Sequence, residues 1–156
     1  MDLAQKLGEE LKKRKLKLVI AESCTGGGLA YAITAISGSS DWFERGFITY
    51  SNQSKEEMLG VKPEIIKKFG AVSEETAIEM AQGALSHSAA QLSIAITGIA
   101  GPDGGTADKP VGTVWIAYGK ENKIFASHFL FPGERDEIRH QAIEKALQQV
   151  WTYIIK

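Results

Sequence analysis

The chain has 156 residues, 44% of them hydrophobic and 24% charged, the balance of an ordinary globular domain large enough to bury its own core. Its 18 Lys and Arg against 19 Asp and Glu leave a net charge of −1, which gives no basic footprint for nucleic acid or an anionic membrane surface. The single cysteine rules out an internal disulfide and fits a reducing compartment, so a cytoplasmic protein of one domain, residues 1–156, is expected.

The chain opens with Leu3, Leu7 and Leu11 at four-residue spacing, which predicts an amphipathic helix over 2–15. Its basic end, Lys12-Lys13-Arg14-Lys15, suits a helix C-terminus. The stretch is charged throughout, unlike a secretory leader, and no apolar run approaches the ~20 residues of a membrane span. Leu18-Val19-Ile20-Ala21 predicts a buried strand. It breaks into Glu22-Ser23-Cys24-Thr25 and three glycines, Gly26 to Gly28, before a helix running to about Ile36. Residues 42–50 end in the strand formers Phe47-Ile48-Thr49-Tyr50. Ser54-Lys55-Glu56-Glu57 has the form of a capping box that opens a short helix, and Pro63 starts another to about Phe69. Ser73 caps a long helix to about Ser88. Residues 92–97 predict a third strand, followed by a glycine- and proline-rich loop over 98–112. A loop of that length is more often functional than incidental. Residues 113–118 and 124–131 read as an antiparallel hairpin, and the last helix begins after Pro132-Gly133.

This order predicts an α/β fold with a mixed five-stranded sheet. Helical crossovers make the first three strands parallel, so their carboxyl ends share one edge. With strands two and three flanking strand one, the sheet order is 2-1-3-4-5, strand four antiparallel, and the reversal at strand one is where α/β crevices open.

Strand one delivers Ser23, Cys24 and Thr25 to that edge. Strand two delivers Tyr50, Ser51, Asn52 and, a turn later, Lys55; strand three delivers Thr97 and Gly98. A serine hydroxyl needs a base to become a nucleophile, and a lysine serves only if burial lowers its pKa. Ser–Lys pairs are one solution to that problem. Tyr50 is placed to relay the proton or hold the lysine. The helix after the glycines offers unpaired N–H groups to an anion or a developing oxyanion. His87, His128 and His140 have no metal-ligand spacing with one another or with Cys24, so no metal is expected. The glycines match neither nucleotide-binding loop pattern. On residues alone, a non-catalytic nucleotide- or protein-binding module, its glycine turn holding an anion, accounts for the same side chains.

Six motifs in order carry a resemblance. They are Ala21-Glu22-Ser23-Cys24-Thr25-Gly26-Gly27, Tyr50-Ser51-Asn52-x-x-Lys55, Gly70-Ala71-Val72-Ser73, Thr97-Gly98-Ile99-Ala100-Gly101-Pro102, Lys109-Pro110-Val111-Gly112-Thr113-Val114 and Phe131-Pro132-Gly133-x-Arg135. Together they resemble the CinA C-terminal domain family over nearly the whole chain. The resemblance implies a three-layer α/β/α sandwich and a nicotinamide-nucleotide amidase, which hydrolyses nicotinamide mononucleotide to nicotinate mononucleotide and ammonia without a cofactor. It implies Ser23 as nucleophile, Lys55 as general base and Tyr50 as its partner. Thr25, Gly26, Gly27, Asn52, Thr97 and Gly98 would line the substrate site. Arg135, Arg139 or the loop over 98–105 would hold the substrate phosphate. Two positions depart from the family pattern: Gly28 replaces a bulkier residue, and Glu134 replaces the aspartate of a Gly-Asp-Arg element. A homodimer or higher homo-oligomer is expected, because such assemblies are common.

Overall fold

In a computed structural model, which describes residues 2–156, the apolar run after the first helix is a strand buried at every position, Leu18–Glu22 (β1). Burial on both faces marks an interior strand of a covered sheet. The sheet has the expected order β2-β1-β3-β4-β5, with β2 at Phe43–Ile48, β3 at Leu92–Gly98, β4 at Thr113–Lys120 and β5 at Lys123–Leu130. β1 runs parallel to β2 and β3, and β4 is antiparallel to β3 and β5.

Strand alternation feeds two cores. Leu18 and Ile20 of β1 face a layer built by α1 (Leu3–Arg14), α2 (Gly28–Thr34) and α6 (Arg135–Ile155). Val19 and Ala21 face the layer of α3 (Asn52–Leu59), α4 (Pro63–Phe69) and α5 (Glu74–Ser86). The first core is filled by branched side chains such as Leu7, Leu11, Ile94, Ile96 and Val150. The second is built largely from small ones: Ala21, Ala95 and Ala117 of the sheet lie in one cluster with Ala77, Ala81 and Ala84 of α5. Small residues on both surfaces bring helix and sheet close. The same economy operates between helices, because a Cβ on Gly83 of α5 would overlap the carbonyl oxygen of Leu59.

Several element ends differ from the sequence reading. β2 stops at Ile48, so Thr49 and Tyr50 lie beyond it. α3 begins at Asn52 because Ser51, not Ser54, is its cap: the Ser51 hydroxyl accepts the Ser54 N–H at 3.0 Å. α2 ends at Thr34, two residues early. α5 ends at Ser86, where the Gly83 carbonyl is taken by the His87 N–H and its Nδ1. Among the described residues no helix is long and apolar enough to cross a membrane.

The register places the site. Glu22 lies beside Ile48 on one side and Ile96 on the other, so Ser23, Thr49 and Thr97 emerge together at the carboxyl edge.

The contact at Gly83 is testable. Gly83→Ala raises helix propensity but forces α5 from α3, and is expected to destabilise the fold by about 2 kcal/mol, read as a lowered urea midpoint at unchanged m-value.

Candidate active site

The ladder continues a residue past β1 on both sides. The Ser23 N–H donates to the Ile96 carbonyl at 3.0 Å, and the Thr49 N–H donates to the Glu22 carbonyl at 2.8 Å. The chain then turns through Tyr50 into α3, whose fourth residue, Lys55, runs back beneath the strand ends. Lys55 is only 1% exposed. Its Nζ lies 2.9 Å from Ser23 Oγ, 2.8 Å from the Thr49 carbonyl and 3.3 Å from the Tyr50 carbonyl. No carboxylate pairs with it among the described residues. Burial without a counter-charge lowers its pKa from 10.5 to about 8. This set of partners suits a free amine. Two carbonyls take its two N–H groups, and its lone pair is left for the Ser23 hydroxyl proton.

Cys24 is buried beside this pair, and burial pushes its thiol up to about 11. A thiol held in its neutral form is a poor nucleophile.

Ser23, Cys24 and Lys55 open on a cavity of about 290 Å³. Its far wall is the Ala71–Val72 segment, which side chains from separate elements hold by its carbonyls and those just before it. Thr97 Oγ1 donates to the Ala71 carbonyl at 2.8 Å, and Lys109 Nζ donates to the Phe69 carbonyl at 2.6 Å. Gly98 is a glycine because a Cβ there would lie 2.7 Å from Val114 Cγ2 and 3.1 Å from Cys24 Sγ. Arg135, exposed at the start of α6, reaches over the rim. It donates to the Gly101 carbonyl at 2.7 Å and to the Tyr50 hydroxyl at 3.3 Å. A larger cleft of about 840 Å³ lies elsewhere, by the end of α5 and the β4–β5 turn, and Ser23 and Lys55 take no part in it.

A search with family models matches residues 1–154 to the CinA C-terminal domain. The chain belongs to that family. It is similar to the nicotinamide-nucleotide amidohydrolase PncC of Escherichia coli K12, 48% identical over 157 residues, 100% of this chain and 95% of that one. The protein of the same name from Pseudomonas putida is 47% identical over 145 residues, 93% and 91% of the two chains. Among solved structures, competence/damage inducible protein CihA from Agrobacterium tumefaciens superposes with a TM-score of 0.95 at 42% identity, covering 99% of this chain and 94% of that one.

Within this CinA domain the expected site residues divide. Ser23, Lys55, Tyr50, Asn52, Thr97, Gly98 and Arg135 border the cavity; Thr25, Gly26, Gly27 and Arg139 do not. Tyr50 meets Lys55 through its carbonyl, while its phenol is turned outward to Arg135, leaving the residue 63% exposed. The reason is that the chain leaves the sheet at Thr49. Gly26 and Gly27 take left-handed backbone, φ +57° and +102°, to turn the chain into α2. Gly28 gives clearance, since a Cβ there would lie 2.6 Å from Ile143 Cδ1 of α6. Glu134 is a working replacement for aspartate: it caps α6 in a reciprocal pair with Glu137.

The anion expected at the start of α2 is supplied by the chain itself. Glu22, fully buried, accepts the Leu29 N–H on one carboxylate oxygen and the Ala30 N–H on the other, each at 2.9 Å. The N–H groups of Gly26 and Gly28 bond to the Ser23 and Thr25 carbonyls. The helix end is therefore closed to a substrate oxyanion. The backbone N–H groups of Cys24 and Thr25 have no partner in any other described residue, and of the two residues only Cys24 borders the cavity. The sequence signal for Glu22 was a carboxylate inside a run buried on both faces, which must find donors.

Glu22→Gln turns one of the two acceptors into a donor facing an N–H. It is expected to cost about 2 kcal/mol, measured by chemical denaturation, and Glu22→Ala is expected to cost at least as much.

Proposed function

We propose that this protein is a serine amidohydrolase that converts nicotinamide mononucleotide to nicotinate mononucleotide and ammonia. The observation that carries the reading is the buried Lys55 Nζ at 2.9 Å from Ser23 Oγ without a carboxylate partner. The substrate comes from the named activity of the full-length relatives.

Lys55, as the free amine, takes the Ser23 proton while Oγ attacks the carboxamide carbon. The tetrahedral oxyanion is met by the unpartnered N–H after Ser23, that of Cys24, a residue bordering the cavity, an interaction typically worth about 3 kcal/mol per donor. Lys55 then hands its proton to the departing nitrogen, which leaves as ammonia, and Ser23 holds the acyl group as an ester. Water attacks that ester as Lys55 accepts its proton, the nicotinate carboxylate leaves, and the proton returns to Ser23. Arg135, an exposed cation at the cavity rim, suits the substrate phosphate, where a guanidinium forms paired hydrogen bonds. Arg139 does not, because it lies off the cavity and is turned to the Cys24 and Thr25 carbonyls.

Ammonia release from nicotinamide mononucleotide tests this. The wild type is expected to turn over at an undiminished rate with a chelator present, and Ser23→Ala or Lys55→Met to lose more than about 1,000-fold in kcat. Because the free amine is the active form, kcat/KM should rise about tenfold per pH unit below about 8 and level off above it. A wild type that binds the nucleotide without turnover would replace the amidase with a binding module. Full activity in Ser23→Ala would remove the proposed nucleophile.

A further inference from the structure

The chain just after Ser23 is held by a residue 115 positions beyond Cys24. Arg139, in the second turn of α6, donates from Nε to the Cys24 carbonyl at 3.1 Å and from Nη2 to the Thr25 carbonyl at 3.3 Å. Its ion pair with Asp136 is long, at 3.9 Å from Nη1, and that carboxylate is 90% exposed, so the two carbonyls are the closer partners of the guanidinium. The fit is close. A Cβ on Gly26 would lie 3.2 Å from Arg139 Nη2, and one helical turn further along, Ile143 fills the space at Gly28. Two of the three glycines therefore make room for α6.

The clamp fixes the chain where it borders the cavity. The Ser23 N–H is held by the Ile96 carbonyl, and the Cys24 carbonyl is held by Arg139. Between these two fixed points lies the N–H of Cys24, a residue that borders the cavity, and no other described residue takes it. Thr25 is fully buried off the cavity, and the Gly26 N–H is spent on the Ser23 carbonyl.

We propose that Arg139 is a positioning residue that sets the oxyanion donor after Ser23, the Cys24 N–H, by clamping the Cys24 and Thr25 carbonyls, and that it does not touch the substrate. This rests on the amidase reading. It separates the two arginines of α6 by role: Arg135 faces the ligand, and Arg139 faces the backbone that meets the reacting carbonyl.

Steady-state kinetics of wild type, Arg139→Ala, Arg139→Lys and Arg135→Ala decide it, with nicotinamide mononucleotide and with the phosphate-free nicotinamide riboside. Arg139→Ala is expected to lose on the order of 100-fold in kcat with both substrates, with KM and the acid limb near pH 8 unchanged. Arg139→Lys keeps the stem and the charge but not the fork that serves two carbonyls, and is expected to lose about tenfold or more. It carries the test if the alanine variant does not fold. Arg135→Ala should instead raise KM for the nucleotide and leave the riboside unaffected. Wild-type kcat in a folded Arg139 variant, or a defect that disappears with the riboside, overturns the proposal alone. A shifted acid limb also overturns it, because the Ser23–Lys55 pair would then have moved. A wild type inactive on the nucleotide removes the amidase reading and this inference together.

Discussion

The buried carboxylate of Glu22 joins the parts on which the site depends. Its two oxygens close the start of α2, and its carbonyl receives the Thr49 N–H that carries the sheet past the end of β2. Thr49 in turn offers the carbonyl that holds Lys55. A carboxylate without donors in this interior would be prohibitive. The glycine turn therefore has to fold so that Leu29 and Ala30 present their N–H groups, and that path fixes Ser23 between strand and helix.

The interior tolerates one unpaired amine at the same place. Moving the Lys55 pKa from 10.5 to about 8 disfavours its charged form by roughly 3 kcal/mol. An anion nearby would remove that cost and return the lysine toward its ordinary pKa. The fold offsets it with two well-filled cores on either side of the sheet. Stability is supplied by layers remote from the cavity, and a destabilised group is kept beside Ser23, where the proposed amidase needs its base.

The sequence made the architecture and the meeting of Ser23 with Lys55 legible, because both follow from short-range rules. Crossover connections make strands parallel, parallel strands align their ends, and Lys55 is one helical turn beyond the end of the second. What escaped depended on exact paths. Ser51 and Ser54 both suit a helix cap, and Ser54 is excluded only because its hydroxyl turns back to the Ser51 carbonyl at 2.7 Å. The outward phenol of Tyr50 follows from a chain that leaves the sheet one residue earlier than its strand formers suggest. Arg139 reaches Cys24 and Thr25 through the docking of a helix from the far end of the chain, and no local pattern encodes which carbonyls a long side chain will find there. Three glycines in a row suggested a ligand cradle, yet Gly26 and Gly28 accommodate that same helix.

The near contact between Gly28 and Ile143 Cδ1 bears on how this turn varies within the family. A larger side chain at position 28 requires a shorter or displaced one at 143, so the two positions form a unit of exchange. A turn grafted from a relative with a bulky residue there would push against α6 and pull Arg139 from its carbonyls. The turn and the first three turns of the last helix therefore have to be exchanged together.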